Sequence, residues 1–124
     1  MNEFQEQAAI IRIDDLSLRT IIGFNEWERK KKQEVLINVS MEFDHCRAAQ
    51  TDDVADTLDY KTIKKSIITL VEESSYNLIE KLAHEILVVI MLDERVRKAA
   101  VRVDKPHALR FARSVSVEVR GSRE

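Results

Sequence analysis

Across residues 34–43, apolar Val35, Ile37, Val39, Met41 and Phe43 occupy every second position, with Glu34, Asn38, Ser40 and Glu42 on the other face. A strict period of two describes a strand buried on one face and wet on the other, so the chain needs a second layer to cover that face. Residues 9–22 carry the same period through Ile11, Ile13, Leu16 and Leu18, with one slip at Asp14-Asp15 that reads as a bulge. Gly23 and the charged segment 25–33 join the two strands into a long hairpin.

The period then changes. Ile63, Ile67 and Val71 after Tyr60, and Leu82, Ile86, Val89 and Ile90 after Asn77, recur at helical spacing and predict two helices of about four turns each. Two short strands close the chain, one through Ala100, Val101 and Val103, the other through Val115, Val117 and Val119. The order strand, strand, helix, helix, strand, strand predicts an α+β fold over 1–124 as a single domain, with both helices on one face of a four-stranded antiparallel sheet. Residues 1–8 are expected to be flexible. Free sheet edges invite pairing with further copies, so a homo-oligomer closing into a barrel is expected.

With only two glycines and one proline, the chain has no room for a glycine-rich phosphate loop. Twenty basic against 22 acidic residues, interspersed, give a net charge of −2 and no field of one sign for nucleic acid or an anionic membrane. The run Arg29-Lys30-Lys31-Lys32 reads as a solvated hairpin loop. The apolar stretch 86–92 is too short to span a membrane, and Met1–Gln7 does not resemble a secretory leader, so a cytoplasmic protein is expected. A single cysteine, Cys46, excludes an internal disulfide, and His45, His84 and His107 are not at zinc-ligand spacing, so no metal is implied.

Four polar residues stand at the ends of these elements, where a rigid framework aims side chains while keeping them reachable: Glu28, Tyr60, Glu80 and Lys105. Each also has a structural reading. Glu80, three residues after Asn77, fits a capping box. Glu28 fits a surface ion pair with the lysine run, Lys105 a snorkelling strand-end lysine, and Tyr60 a helix-start residue with its hydroxyl in water. Trp27 and Tyr76 read as packing residues, Cys46 as a small hydrophobe, and His45 and His84 as surface or interface histidines.

Taken in order, Ile22-Gly23-Phe24-Asn25-Glu26-Trp27-Glu28, Thr51 through Tyr60, Asn77-Leu78-Ile79-Glu80-Lys81-Leu82-Ala83, and Asp104-Lys105-Pro106 followed by Ser114 through Val119 resemble the dihydroneopterin aldolase family across residues 9–120. The tail Asp104 through Ala112, with Ile11-Arg12-Ile13 and Leu18-Arg19-Thr20, looks most like the dihydroneopterin triphosphate 2′-epimerase branch, whereas Trp27-Glu28 is closer to the aldolase branch. The resemblance implies the tunnelling fold, tetramers or octamers with active sites between subunits, and catalysis with no cofactor, metal or Schiff base. It implies that Glu80 anchors a pterin through its 2-amino and N3 hydrogens, that Leu58 and Ile79 offer backbone contacts, and that Asp52 and Thr57 line the pocket. Glu28, Tyr60 and Lys105 would be catalytic, around the substrate's polyol chain.

The implied chemistry is retro-aldol cleavage of the C1′–C2′ bond of a 7,8-dihydroneopterin side chain. His107, Arg110 and Arg113 beside Lys105 offer cations for a triphosphate, or serve as solvated loop and interface cations. The first expectation is 2′-epimerisation of dihydroneopterin triphosphate with accompanying aldolase activity. The alternative is the aldolase of folate biosynthesis, giving 6-hydroxymethyl-7,8-dihydropterin and glycolaldehyde, and a non-catalytic pterin-binding scaffold stands third.

Overall fold

A computed structural model of the chain describes residues 3–123. Four long strands, β1 (Ala9–Ile22), β2 (Gln33–Phe43), β4 (Val96–Pro106) and β5 (Ser114–Ser122), pair antiparallel in that spatial order. A two-residue strand, β3 (Ser75–Tyr76), adds parallel to the end of β1, pairing Ile21 with Ser75 and Ile22 with Tyr76. Between β2 and β4 come a short helix α1 (Cys46–Thr51), then α2 (Tyr60–Glu73) and, after β3, α3 (Ile79–Met91). The α+β order read from the sequence is therefore observed, with α1 and β3 as additions.

The alternating residues behave as their period demands. Val35, Ile37, Val39, Met41 and Phe43 of β2 and Val96, Val101 and Val103 of β4 are buried, and they form one core with Ile63, Ile67 and Val71 of α2 and Leu82, Ile86 and Ile90 of α3. Each such side chain contributes about 1.5–3 kcal/mol of burial, enough for these stripes to fix both helices on the sheet. The opposite face carries exposed charge, including Glu34, Lys98, Arg102, Glu118 and Arg120.

The expected bulge lies where the period slips. Ile13 pairs with Val39 and Leu16 with Ile37, so β1 carries one extra residue between them. Asp15 takes up the excess at φ 53°, and its amide donates to Asn38 Oδ1 at 2.8 Å. At the start of α2, Asp59 caps the helix by accepting from the Lys61 and Thr62 amides, each at 3.1 Å.

Several structural readings are corrected. Helix α3 begins at Ile79 after Leu78, with no side-chain cap, so Asn77 and Glu80 do not form a capping box. Trp27 is not a packing residue in the single chain, being 62% exposed, and Cys46 is exposed rather than a small core hydrophobe. Within the lysine run Lys30, Lys31 and Lys32 are exposed, but Arg29 folds back onto backbone carbonyls. Of the segment 1–8, residues 1–2 lie outside the described residues, and Glu6 pairs with His45.

Candidate active site

The first hairpin loop, the start of α3 and the end of β4 converge around a cavity of about 450 Å³ lined by Gly23, Phe24, Asn25, Trp27, Glu28, Gln33, Asn77, Leu78, Ile79, Glu80, Lys105, His107 and Ala108. A larger concavity, about 610 Å³, lies on the polar face of the sheet along Ser40, Glu42, Lys98, Glu118 and Arg120. There Glu118 is paired with Arg120 across the surface. The smaller cavity is the chemically distinctive one, because it joins a buried ion pair to a carboxylate that has no partner among the described residues.

Glu28 lies on a 3-10 turn, Glu28–Lys30, and is only 3% exposed. Its carboxylate accepts from Lys105 Nζ, from Gln33 Nε2 at 3.1 Å and from the Asn25 amide at 3.3 Å. Burial raises the pKa of this carboxyl, but the hydrogen bonds from Lys105, Gln33 and Asn25, with the Lys105 charge, together hold it below the ordinary glutamate value. Glu28 is therefore ionised at neutral pH. This replaces the reading of a surface pair with the lysine run: the partner is Lys105, whose side chain is 12% exposed at the end of β4. A snorkelling lysine would have carried its ammonium into water.

Gly23 makes this arrangement possible. Its φ is +115°, and a Cβ there would collide with the Glu28 carboxylate. Gln33 also donates to the Ile22 carbonyl at 3.1 Å, so one amide group ties Glu28 to the end of β1. Neither Gln33 nor Asn25 stood out in the sequence, since a polar residue beside a charged loop carries no local mark of a buried partner.

Glu80 lines the far wall on the first turn of α3, exposed and without a hydrogen bond or ion pair among the described residues. Ile79 lies beside it, and His107, at φ 60°, flanks Lys105 on the loop between β4 and β5. Thus the structure brings together Glu28, Lys105, Glu80, Ile79 and His107.

It does not bring the others into that cavity within one chain. Arg110 stands exposed further along the same loop, its guanidinium 5.2 Å from the Phe111 ring centroid. Asp52 and Tyr60 are exposed near the start of α2, and Leu58 is buried in the core. The Thr57 carbonyl accepts from Arg95 Nη1 at 2.7 Å, just ahead of β4. Lys105 lies at the other end of that strand, roughly 30 Å away at the usual rise per residue. Tyr60 and Lys105 of a single chain are therefore held at opposite ends of β4.

The family model FolB, dihydroneopterin aldolase, matches residues 11–120. A dihydroneopterin triphosphate 2′-epimerase of Pseudomonas aeruginosa is 46% identical over 123 residues, covering 99% of this chain and 100% of that protein. The dihydroneopterin aldolase of Escherichia coli K12 is 32% identical over 87% of this chain and 88% of its own length. A crystal structure of E. coli dihydroneopterin aldolase in complex with neopterin superposes with a TM-score of 0.88 at 30% identity, covering 92% of this chain and 99% of that one. On sequence and fold together, the chain belongs to the dihydroneopterin aldolase family.

Proposed function

We propose that the protein is a single-domain pterin-modifying enzyme that breaks the C1′–C2′ bond of a 7,8-dihydroneopterin side chain by retro-aldol chemistry, chiefly to epimerise dihydroneopterin triphosphate at C2′. The observation that carries this reading is the pairing of an ionised, buried Glu28 with Lys105 on one wall of the cavity, facing the unbonded Glu80 on the other. Greater identity to an epimerase than to an aldolase, 46% against 32%, favours the phosphorylated substrate.

A free carboxylate suits a pterin edge that presents two N–H donors side by side, which it accepts bidentately. With Glu80 holding the ring, the substrate side chain extends toward Lys105 and Glu28. Lys105, fixed by Glu28, organises removal of the 2′-hydroxyl proton through water. The C2′ oxygen becomes a carbonyl as the C1′–C2′ bond breaks, the pair from that bond forms a C1′=C6 double bond, and the C6=N5 π pair passes to N5, which takes a proton. The dihydropterin is thus its own electron sink, so the step calls for no lysine imine, metal or cofactor.

Two outcomes share the resulting intermediate. Protonation at C1′ with loss of the aldehyde fragment gives the 6-hydroxymethyl product; rotation of the held aldehyde and re-addition restores the bond with C2′ inverted. Tyr60 supplies the proton at C1′ from a second copy, consistent with its distance from Lys105 in one chain. Asp52, Thr57 and Leu58 would reach the ring from that copy, while His107 and Arg110 hold the phosphates.

The test is to incubate 7,8-dihydroneopterin and its triphosphate with the protein and separate the products by chromatography. Faster conversion of the triphosphate to its 2′-epimer is expected. Equal or better turnover of the unphosphorylated compound to 6-hydroxymethyl-dihydropterin would instead establish the aldolase reading, which Trp27-Glu28 favours. Pterin binding without turnover would leave a scaffold.

A further inference from the structure

We infer that Arg29 is a positioning residue, a strut that sets the spacing between the Glu28–Lys105 wall of the cavity and the Ile79–Glu80 wall. The inference rests on the pterin-modifying reading of that cavity. Arg29 follows Glu28 directly on the 3-10 turn, and its guanidinium reaches across to the segment leading into α3. Nη1 donates to the Gly23 carbonyl at 3.0 Å and the Tyr76 carbonyl at 3.1 Å, and Nη2 donates to the Ser75 carbonyl at 2.6 Å. The Gly23 amide adds a bond to Tyr76 O at 3.2 Å, and Thr20 Oγ1 donates to Ser74 O at 2.9 Å. Three successive carbonyls, 74 to 76, are thereby tied to the strand and loop that carry Glu28.

The core stripe of α3 holds the helix from Leu82 onward, but few other bonds fix the segment 74–78 that leads into the second wall. β3 pairs only two residues with β1, and α3 starts without a side-chain cap. Arg29 meets no carboxylate among the described residues; its half-buried guanidinium is met by three carbonyl oxygens and, at Nη2, by solvent, so its protein partners are all backbone groups of the two segments it joins. The planar fork of a guanidinium serves divergent acceptors at once, whereas a lysine offers a single centre on a flexible stem.

The consequence for the reaction is a distance. Glu80 fixes the ring and the Glu28–Lys105 pair acts several bonds away, so a loosened strut misplaces C2′ relative to the groups that must deprotonate it. A misplacement of about 1 Å costs on the order of 100-fold in rate. The aldehyde fragment is also held less firmly between the walls, and cleavage gains on epimerisation.

The experiment compares Arg29→Met and Arg29→Lys with the unaltered protein. Three readouts are used: steady-state kinetics on dihydroneopterin triphosphate, the ratio of cleaved to epimerised product, and amide exchange over residues 22–29 and 75–80. Both variants are expected to lose roughly 10- to 100-fold in kcat/KM, to shift the ratio toward cleavage and to exchange faster at Gly23. The product ratio does not depend on how much enzyme is folded, so a merely structural role would leave it unmoved. Unchanged kinetics and ratio in folded variants would overturn the inference, as would failure of both variants to fold, which would assign Arg29 to the fold instead. If the unaltered protein turns over no pterin, the functional reading fails by itself, while amide exchange still reports whether Arg29 couples the two segments.

Discussion

The Glu28 carboxylate fills the space that a side chain on Gly23 would need. The residue that turns the chain out of β1 and the acid that meets Lys105 are thus fitted to one another, five positions apart in sequence. Gly23→Ala is expected to destabilise the protein by at least about 1 kcal/mol, because alanine resists the positive φ as well as meeting the carboxylate. Urea unfolding measures that loss. Activity is expected to fall further than the folded fraction, since Glu28 must move away from Lys105.

The Glu28–Lys105 pair gives stability a specific pH dependence. The folded pKa of Glu28 lies below its ordinary value of 4.5, so its stabilising contribution is fully present above that value and is lost as pH falls through the folded pKa. The difference in unfolding free energy between the unaltered protein and Glu28→Gln should stay level from pH 8 to pH 5 and shrink below about 4.5. A constant difference down to pH 3 would contradict this assignment.

Lys105→Met leaves a buried carboxylate without its cation. The expected cost is about 3 kcal/mol, at the low end for breaking a buried pair, because Gln33 and the Asn25 amide still serve Glu28. Thermal or urea unfolding checks this, and turnover on both candidate substrates should disappear.

Glu80→Gln should separate binding from folding. Exposed and uninvolved in the helix cap, Glu80 can be changed with stability kept within about 0.5 kcal/mol. Neopterin affinity should nevertheless fall about tenfold or more, since a hydrogen bond to a charged group is worth about 1.5–3 kcal/mol. Titration by fluorescence quenching measures it.

The length of β4 makes complementation a test of where Tyr60 acts. Tyr60→Phe and Lys105→Arg, each impaired alone, should recover activity when unfolded together and refolded as mixed oligomers. About a quarter of sites then combine the two intact residues if each site draws them from different copies. No recovery would place both residues in one chain's site and conflict with their separation.

Legibility in the sequence followed periodicity. β2 and the Asp14–Asp15 slip could be read because alternation over many residues registers burial directly. β3 could not, since two residues carry no period, and α1 could not, since its six residues bury none of their side chains. Within the site, the types and positions of Glu28, Glu80 and Lys105 marked them as candidates, yet the burial of Glu28 was hidden in a charged segment. The partnership of Arg29 with carbonyls at 75 and 76 joins positions nearly fifty residues apart, and backbone acceptors leave no trace in residue identity.

The bulge at Asp15 sets the aim of everything after it. Before it, odd-numbered residues of β1 turn toward the helices; beyond it, even-numbered residues do so, from Leu16 to Ile22. That change of phase brings Ile22 into the core and lets the chain leave the sheet at Gly23 on the side where Glu28 meets Lys105. Were the strand to run through Asp14 and Asp15 without the bulge, every residue from Leu16 onward would change face and that exit would turn to the wrong side. Deleting either aspartate would instead remove the extra residue and keep Leu16 to Ile22 inward. The orientation of the hairpin that carries Glu28 is thus a matter of parity, kept by the bulge in the middle of β1.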